Sequence, residues 1–582
     1  MLNKIISVIM SYVISITGLA YTSFNGMIDS LTELVFGLPY STQAVKDDFL
    51  SRITSDDIDT VDDETGFVND KIAVFVNPET SFRARLAFFN GSGGRVVGWS
   101  TPADLYVIEY SEMPYAAIEA KCRVLALNDA VELAIPVTAS KLDTDKTPED
   151  DFGYNDVYGQ WDEIRPEGRN WWLEAIDARQ AWDYFDYFSK IDIGIIDSGF
   201  DTDHPELNGK VYFPDEKSAK RNLQDDHGCH VAGIIGAYHN GVGITGICEN
   251  SDLICLDWSP DLLQLWIPDL AIYFGFSKVV EAGAKVVNLS LGTSASKYSN
   301  SSTLFERLIT PAAYSYMMSS LLAKGYDFIA VQSAGNGDAD GNPVDASNNG
   351  SFTTITTDNV FTGSNKVSPE DIVNRIIVVS SIGYKENGTY EQAWYSNVGE
   401  RVDIAAPGEN VFSLSVDGGY DYMSGTSMAA PVVTAVASLV WSVNPGFTGA
   451  EVKEIVCTST DSVAEINRST PYIYDVKLME YPVVNAKLSV EEAIRRTDSD
   501  IGTVSGKIIG DAAEIIYDGV SHTVFSDGTY SFVAPSGSGK ATVTDRSGEI
   551  IGSFDISIVA GETTEAGDYV IDTSITDSPA ED

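Results

Sequence analysis

Residues 170–497 alternate short apolar segments with segments of helical spacing, and this alternation constrains the fold more than any other feature of the chain. Strands linked by helices pair in parallel, and the helices cover both faces of the sheet. Two segments, 233–237 and 429–441, consist almost wholly of small and apolar residues, as helices buried on all sides do. The pattern predicts an α/β domain over residues 170–498. Its predicted strands are Ile191–Ile196, Leu253–Leu256, Val286–Leu291, Phe328–Gln332 and Ile376–Val379.

A smaller unit with a different order of elements precedes this domain. Between Lys71 and Val137 the sequence predicts strand, helix, strand, strand, helix and strand, which is the split ferredoxin-like arrangement. The unit is assigned to residues 70–138, and the poorly patterned residues 21–69 to a segment in front of it. Its predicted elements are Lys71–Val76, Ser81–Phe89, Arg95–Trp99, Asp104–Tyr110, Ala116–Leu127 and Ala130–Val137.

An acidic connector and a β-rich region complete the organisation of the chain. Residues 139–169 are polar and acidic, which indicates a domain boundary. After residue 498 the helical periodicity ends, and Asp527-Gly528 and the Gly-rich 536–539 separate short strands. Residues 499–582 are therefore predicted to form a small β-sandwich. Its predicted strands are Val504–Ile509, Thr523–Phe525, Thr529–Val533 and Lys540–Val543.

The N-terminus has the layout of a secretory signal peptide. One positive charge at Lys4 precedes an uncharged run to Leu19, and Gly18 and Ala20 put small residues beside a possible cut. We assign residues 1–20 to a cleaved signal and expect a secreted protein. The alternative is an uncleaved membrane anchor, which the serines in this run disfavour, because a spanning helix needs about 20 predominantly apolar residues.

The charge and the cysteine content exclude two classes of protein. The formal net charge of −48 would repel nucleic acid and anionic membranes, so neither is expected as a partner. Five cysteines in 582 residues cannot build a disulfide-dense scaffold. We expect Cys122, Cys248, Cys255 and Cys457 to be free thiols, with a Cys248–Cys255 bridge as the alternative.

Three residues stand out as candidates for chemistry, although each has an ordinary structural explanation. Asp197 follows a buried strand, where open α/β sheets build their sites, but a turn Asp is common there. His227 opens a helix of small residues, and with His230 it could instead bind a metal. Ser427 lies at the start of the apolar segment 429–441, where a capping Ser or Thr is also common.

Together the three sequence blocks are far more specific than any one of them. Ile193–Gly199, His227–Gly233 and Gly425–Pro431 follow one another in the order Asp, His, Ser, with the three residues 30 and 200 positions apart. This chain resembles the subtilisin-like serine proteases, whose motifs occur in that order. The resemblance implies that Ser427 is the nucleophile, His227 the general base and then acid, and Asp197 the group that orients the imidazole.

Two further blocks carry the same resemblance. Ser333–Gly337 matches the oxyanion-hole segment of the family, which implies that Asn336 donates its side-chain amide to the oxyanion, with Gly335 beside the substrate. Val287–Gly292 matches the substrate-binding strand. The resemblance implies that Ser290, Leu291 and Gly292 contact an extended peptide, which would pair with them as an added strand.

One residue departs from the family pattern. Between the two histidines of the second block this chain has Cys229, where the family usually has Thr. A small thiol packs in the same space, so we expect activity to survive and to be sensitive to mercurials.

The resemblance also implies a structural calcium ion. The segment 238–246 follows the histidine helix at the spacing of the calcium loop of the family. Asn240 and Glu206 would supply side-chain oxygens, and Tyr238, Val242 and Ile244 backbone carbonyls, the hard ligands that calcium takes. Glu206 stands where the family commonly has Asp, and the alternative is a turn without metal.

The implied protein is a secreted serine endopeptidase made as a self-processing zymogen. Residues 70–138 would be a propeptide that assists folding and blocks the cleft, and the connector would contain the cleavage site. Its partners would be protein or peptide substrates and its own propeptide, without stable membrane association, and it would be a monomer. The alternatives are a narrow-specificity processing protease and a catalytically silent surface-binding protein.

Overall fold

The computed structural model describes residues 44–60, 65–141, 171–215, 225–240, 243–257, 266–292, 304–337, 342–383, 390–465, 480–525 and 527–571. The predicted signal peptide, most of the acidic connector and Val242 lie outside the described residues. The described chain forms an antiparallel sheet at the N-terminus, a larger α/β layer structure and a pair of small sheets at the C-terminus.

The N-terminal sheet has the predicted order of elements but begins earlier than residue 70. Strand β3 starts at Thr65, and residues 44–60 add a strand at the edge of the sheet and a second one beside β3. The order β6-β3-β5-β4-β1 is antiparallel throughout. The elements are β1 Val45–Lys46, β2 Ile58–Thr60, β3 Thr65–Val76, α1 Phe82–Gly91, β4 Arg95–Ser100, β5 Leu105–Glu109, α2 Tyr115–Leu125 and β6 Val131–Lys141.

The central domain has the predicted parallel sheet. The strands β8-β9-β7-β11-β12-β13 are neighbours in that order and all run in parallel, with β15 parallel beside β13. They are β7 Ile191–Asp197, β8 Val211–Tyr212, β9 Ser251–Asp257, β11 Val286–Leu289, β12 Ile329–Ser333, β13 Ile376–Gly383 and β15 Ile404–Pro407. After β9 the sheet resumes on the other side of β7. Such a switch point opens a crevice at the carboxyl ends of the strands.

Helices cover both faces of this sheet. They are α3 Trp171–Glu174, α4 Ala178–Trp182, α5 His227–Gly236, α6 Asp269–Glu281, α7 Leu304–Ala323, α8 Pro369–Val373, α9 Thr426–Val443, α10 Gly449–Thr458 and α11 Ala486–Thr497. Among the helices in the described part of the chain, α9 alone is long and apolar enough to cross a bilayer. Every residue of α9 is buried in the core, as the composition of 429–441 predicts.

Six short strands complete the central domain. Strands β14, β18 and β19 extend the sheet beyond β13, and β16 and β17 form a separate antiparallel hairpin. Strand β10 lies apart from them, because it pairs with β6 of the N-terminal sheet. Their bounds are β10 Trp266–Pro268, β14 Tyr390–Gln392, β16 Val411–Ser415, β17 Gly419–Met423, β18 Val463–Glu465 and β19 Glu480–Pro482.

The C-terminal region consists of two sheets, β23-β20-β26 and β22-β21-β24-β25. The predicted strand Thr523–Phe525 is wrong, because β22 ends at Thr523 and a tight turn at Asp518-Gly519, both with positive φ, joins it to β21. Such a turn suits a two-residue hairpin. The strands are β20 Ile501–Ile509, β21 Glu514–Tyr517, β22 Val520–Thr523, β23 Thr529–Pro535, β24 Gly537–Thr544, β25 Ile550–Ile558 and β26 Thr563–Val570.

Candidate active site

Three elements of the central domain each carry one of the predicted catalytic residues at an end. Asp197 is the last residue of β7, His227 is the first residue of α5, and Ser427 is the second residue of α9. Asp197 and Ser290, which follows β11, lie at the carboxyl ends of neighbouring parallel strands. The structure therefore collects these residues from distant parts of the sequence at the switch point of the sheet.

Asp197 and His227 form a short hydrogen bond. The imidazole Nδ1–H donates to Asp197 Oδ1 over 2.6 Å, and the backbone N–H of Ser198 donates to the same oxygen over 2.7 Å. Burial raises the pKa of Asp197, and the neighbouring imidazole acts in the opposite direction. With Nδ1 acting as the donor, Nε2 of the neutral ring is the acceptor. This arrangement leaves Nε2 as the nitrogen that can take a proton.

The other carboxylate oxygen of Asp197 lacks the hydrogen-bond partner that buried oxygens normally have. Asp197 Oδ2 is buried, and no group in the described residues hydrogen-bonds to it. Buried polar atoms without partners are rare and costly in folded proteins. An unpaired buried oxygen makes the positive charge of an imidazolium at His227 more favourable, because that charge stabilises the whole carboxylate.

Ser427 is fixed through its backbone carbonyl. Pro431, four residues further along α9, has no N–H to complete the helical hydrogen bond to this carbonyl. Ser290 Oγ donates to it instead over 2.6 Å, and Ser427 Oγ donates to the carbonyl of Ser290 over a longer 3.4 Å. Pro431 is the sixth residue of α9. It therefore lies beyond the first turn, the part of a helix in which a missing N–H costs no helical hydrogen bond.

Two buried side chains continue this contact into the core. Thr434 Oγ1 donates to Asn288 Oδ1, and Asn288 Nδ2 donates to Ser290 Oγ, each over 2.9 Å. The chain of hydrogen bonds from Thr434 to Ser427 joins α9 to β11 without an intervening water. Sequence reasoning did not single out Asn288 or Thr434. The proline four residues after a candidate nucleophile was the available signal, because it requires another donor for the Ser427 carbonyl.

The amide of Asn336 is held in one orientation. Its Oδ1 accepts hydrogen bonds from the backbone N–H and the hydroxyl of Thr426, both over 2.9 Å. The Thr426 hydroxyl oxygen in turn accepts from the backbone N–H of Gly335 over 3.0 Å. With the oxygen committed to Thr426, the donor end of the amide is Nδ2. This is the orientation that an oxyanion-hole amide needs.

Glycine is required on both sides of this region. Gly335 has a φ of +97°, and a side chain there would meet Asn349 and Asn397 at 2.4 Å. A Cβ on Gly292 would meet Asn349 at 2.3 Å. Ser290, Leu291 and Gly292 follow β11 rather than lying inside it, because the strand ends at Leu289. The Leu291 carbonyl accepts from Gln332 and Ser333, so the segment is anchored to β12.

The second histidine of the block has a structural role. His230 is wholly buried in α5, and its Nε2 lies 3.1 Å from the Val411 carbonyl. Within the described residues, no three His, Cys, Asp or Glu side chains form a group that could hold a metal. The ring contacts of His227 with Asp197 and of His230 with Val411 argue against the alternative in which the two histidines ligate a metal.

All five cysteines are free thiols, which excludes the alternative of a Cys248–Cys255 bridge. Cys229 is fully buried in α5, and burial raises its pKa to about 12. Thiol reagents attack the thiolate of accessible cysteines. The native structure therefore argues against the mercurial sensitivity that the sequence suggests.

Among the predicted calcium ligands that the structure describes, Tyr238 and Asn240 are hydrogen-bonded to Glu206. Glu206 is completely buried, and its oxygens accept from Tyr420 Oη over 3.2 Å and from Asn240 Nδ2 over 3.3 Å. The backbone N–H of Tyr238 donates to the Glu206 carbonyl, and Ile244 is buried nearby in the same core. The Glu206 carboxylate and the Asn240 side-chain amide contain oxygens of the hard kind that calcium takes, so these two residues are chemically compatible with the ion.

Comparison with known proteins finds a family model that matches the part of the chain with the candidate site. Residues 189–475 match the model of the Subtilase family. The chain is 30% identical over 292 residues to the "Thermophilic serine proteinase" of Bacillus sp. (strain AK1), which covers 49% of this chain and 60% of that protein. It is 28% identical over 272 residues to "Subtilisin NAT" of Bacillus subtilis subsp. natto, covering 46% of this chain and 59% of that protein. The chain thus spans about 60% of the length of these relatives.

The fold is also similar to that of a solved structure. Fervidolysin from Fervidobacterium pennivorans, a keratinolytic enzyme related to subtilisin, matches with a TM-score of 0.53 and 19% sequence identity. The match covers 88% of this chain and 79% of that chain, so the likeness in fold extends beyond the residues that match the family model.

Proposed function

We propose that this chain, whose residues 189–475 form a subtilisin-like serine protease domain of the subtilase family, is an endopeptidase that hydrolyses peptide bonds through an acyl-enzyme. The observation that carries the proposal is the 2.6 Å hydrogen bond between Asp197 and His227 at the switch point of the sheet, where Ser290 after β11 also donates to Ser427 of α9. With Nδ1 donating in that bond, Nε2 is the ring nitrogen that can accept a proton.

The reaction begins with attack by Ser427. His227 Nε2 takes the hydroxyl proton as Ser427 Oγ bonds to the peptide carbonyl carbon, and Asp197 stabilises the imidazolium. His227 then gives this proton to the leaving amine, and the acyl-enzyme forms. Water completes the cycle by the same steps in reverse, with His227 first as base and then as acid.

The negative charge on the substrate oxygen is stabilised by two donors. Asn336 Nδ2 and the backbone N–H of Ser427 would point at the oxyanion, and the positive end of α9 lies beside it. Asn336→Ala is expected to lower kcat by about 10²–10³ with little change in KM, because the donor acts mainly on the transition state. Peptide would bind along Ser290–Gly292 as an added strand.

Calcium is part of the proposal as a structural ion. Glu206 and Asn240 would hold it with the carbonyls of Tyr238, Val242 and Ile244, and it would offset the charge of a buried carboxylate. We expect chelation by EGTA to lower the Tm of the wild-type protein and to leave the Tm of Glu206→Gln unchanged. Equal shifts in the two proteins, or none in the wild type, would remove the ion from the proposal.

Secretion and self-processing complete the proposal. The signal-like residues 1–20 support export, and the N-terminal unit would assist folding as an intramolecular chaperone and inhibitor, with cleavage in the acidic connector. The mature protein would be a monomer with protein or peptide substrates. A narrow-specificity processing protease has the same chemistry, and cleavage of a diverse peptide library separates the two, since a degradative enzyme cuts many sites.

Expression of the wild type beside Ser427→Ala tests the enzyme. The wild type is expected to process itself and to cleave peptides, and the variant is expected to stay full length with activity lower by on the order of 10⁶. Ser438→Ala is the matched control, because Ser438 lies on the same helix and donates only to the Thr434 carbonyl in the core. If neither protein is processed or active, the result contradicts the enzyme proposal and favours the alternative of a catalytically silent binding protein.

A further inference from the structure

A buried side-chain amide separates the two segments that would flank a bound peptide. Residues 290–292 follow β11, and residues 334–337 follow β12, the neighbouring parallel strand. Between them lies Asn349, which is only 1% exposed. A Cβ on Gly292 would meet the Oδ1, Nδ2 and Cγ atoms of Asn349 at 2.3–2.5 Å, and a Cβ on Gly335 would meet its Oδ1 at 2.4 Å. The planar carboxamide therefore fills the space between the two glycines.

Asn349 is fixed through both its backbone and its side chain. It ends a short 3₁₀ turn, where its N–H donates to the Ala346 carbonyl over 2.9 Å. Its Nδ2 donates to the Ser333 carbonyl over 3.0 Å. Because only the nitrogen of an amide can donate to a carbonyl, this bond decides which end of the side chain is the oxygen. Oδ1 is therefore the polar atom of Asn349 that faces both Gly292 and Gly335.

The Oδ1 atom of Asn349 has no hydrogen-bond partner. It is buried, and none of the groups in the described ranges donates to it. Buried acceptors without a donor are rare, because each one forfeits the hydrogen bonds that water would make. A ligand that brings a donor between Gly292 and Gly335 would supply the missing bond.

A second buried asparagine beside Gly335 shows what a purely structural role looks like. Asn397 Nδ2 donates to the Ala334 carbonyl over 2.9 Å. Its Oδ1 accepts from the backbone N–H of Gly337 over 3.1 Å and from that of Val344 over 3.0 Å. Both ends of this amide are used to hold the backbone after β12. The amide of Asn349 differs, because its oxygen keeps the capacity to bind a ligand.

The proposed binding mode would put one substrate side chain into this space. A peptide paired with Ser290–Gly292 presents its reacting carbonyl to Asn336. The side chain next to that carbonyl then enters between Gly292 and Gly335, where it meets the carboxamide of Asn349. A large side chain would have to displace this carboxamide and break its hydrogen bond to the backbone, which leaves Nδ2 buried without an acceptor.

We propose that Asn349 determines which residue this protein accepts on the N-terminal side of the scissile bond. Its carboxamide limits that residue to Gly, Ala or Ser, and Oδ1 favours Ser by accepting a hydrogen bond from the hydroxyl. This preference deepens the proposed function and rests on its placement of the peptide along Ser290–Gly292. An acidic side chain is disfavoured as well, because it has no donor and faces an oxygen with partial negative charge.

Internally quenched peptides that differ only in this residue test the preference on the wild-type protein. Cleavage after Ala is expected to exceed cleavage after Phe or Lys by about 10² in kcat/KM, because the space does not admit the larger side chains. Cleavage after Ser is expected to exceed cleavage after Ala by about fivefold, the value of one neutral hydrogen bond. Cleavage after Phe or Lys as fast as after Ala would overturn the size limit, and equal rates after Ser and Ala would overturn the role of Oδ1.

A pair of variants tests whether Asn349 is responsible. Asn349→Ala is expected to raise kcat/KM for the Phe peptide relative to the Ala peptide at least tenfold, a change of ratio that a general loss of stability does not produce. Asn365→Ala is the matched control, because the buried Asn365 amide donates to Ser319 and Ser320 of α7. Equal ratios in the wild type and Asn349→Ala would overturn the inference. If Asn349→Ala does not fold, the peptide series on the wild type decides the question.

Binding to Ser427→Ala separates this inference from the proposed function. Peptides that end in Ser, Ala or Phe are titrated into the full-length variant by calorimetry, which requires no cleavage. The peptide that ends in Ser is expected to bind at least tenfold more tightly than the one that ends in Phe. If the wild type cleaves no peptide, the endopeptidase proposal fails and these affinities still decide the inference. Equal affinities, or tighter binding of the Phe peptide, would overturn it.

Discussion

The central domain contacts its two neighbours in different ways. Its contact with the N-terminal unit, the N-terminal seam, is built from the aromatic rings between Phe75 and helices α6 and α7. Its contact with the C-terminal sheets, the C-terminal seam, is built around buried polar groups. There Tyr184 donates to Glu491 over 2.7 Å and accepts from the backbone N–H of Val533 over 2.9 Å, while Lys487 pairs with Glu491 at 2.6 Å.

The difference shows two ways of fixing one domain on another. An apolar seam depends on area and packing, so its strength falls with the volume removed and varies little with pH. A polar seam depends on complete pairing, because a single missing partner leaves a buried charge or donor unsatisfied. The two seams should therefore respond to different perturbations.

The largest effect is expected from cutting the ring of Phe75 back to a methyl group. Phe75→Ala removes the contacts with Tyr273 and Tyr316 and should lower the free energy of unfolding by about 3–5 kcal/mol, the usual cost of such a cavity. Guanidinium unfolding followed by fluorescence measures it, with Phe82→Ala as the control. A loss below about 1 kcal/mol would show that the N-terminal seam is not a packed core.

A somewhat smaller effect is expected from neutralising Glu491. Glu491→Gln keeps a hydrogen-bond acceptor for Tyr184 but leaves Lys487 buried without its counter-charge, which should cost about 3 kcal/mol. The double variant Glu491→Gln with Lys487→Met should regain most of this loss in the same unfolding experiment. If the double variant is no more stable than Glu491→Gln, the pair is not what the C-terminal seam depends on.

A third effect is a pH dependence that belongs to the C-terminal seam. Burial raises the pKa of Asp183 to about 7 from an ordinary 3.8, against the hydrogen bonds that Thr523 donates to it. The pKa of Asp183 is higher in the folded than in the unfolded protein, so the protonated carboxyl contributes to the free energy of unfolding. This contribution is complete below pH 3.8 and is lost as the pH rises through 7. Wild type should lose about 2 kcal/mol more than Asp183→Asn between pH 5 and 8. Parallel pH profiles of stability for the wild type and Asp183→Asn would contradict this assignment. The other charges near Asp183 are Glu514 and Lys487.

The smallest effect concerns the guanidinium concentrations at which two buried thiols become reactive. Cys122 lies in the outer core of the N-terminal unit and Cys229 in α5, and burial raises the pKa of both thiols. Neither should react with a disulfide reagent in the native protein. As guanidinium is added, both should become reactive at the same concentration if the N-terminal seam joins the two cores. Reaction of Cys122 at a clearly lower concentration would show that the N-terminal unit unfolds by itself.

The sequence was sufficient for most of the elements, because they follow from local patterns, whereas the catalytic roles stay a prediction. Strand alternation predicted the parallel sheet, and the blocks around Asp197, His227 and Ser427 predicted residues that the structure brings to one edge of it. The sequence could not predict which segment covers a given buried face. The periodicity of α6 shows that all its sides avoid water, but not that Phe49 covers one of them.

Other differences have equally local causes. Strand β10 has only three residues and pairs with the sheet of a different unit. The alternation of strands and helices in its own domain therefore could not predict it. Strand β21 was missed because the Asp518-Gly519 turn was not recognised as a hairpin signal. The role of Thr434 depends on a contact with Asn288, which lies 146 residues earlier in the chain.

The proline in α9 has a consequence for inactivation by heat. In most helices the first turn can fray while the rest of the fold persists. Here the carbonyl of Ser427 accepts a hydrogen bond from Ser290, just after the central strand β11. Hydrogen bonds from Thr434 to Asn288 and from Asn288 to Ser290 continue this contact into the core. Ser427 can leave its place only if the helix separates from the sheet. Loss of the proposed peptidase activity on heating should therefore coincide with the melting of the whole central domain, with no temperature range in which a folded but inactive form accumulates.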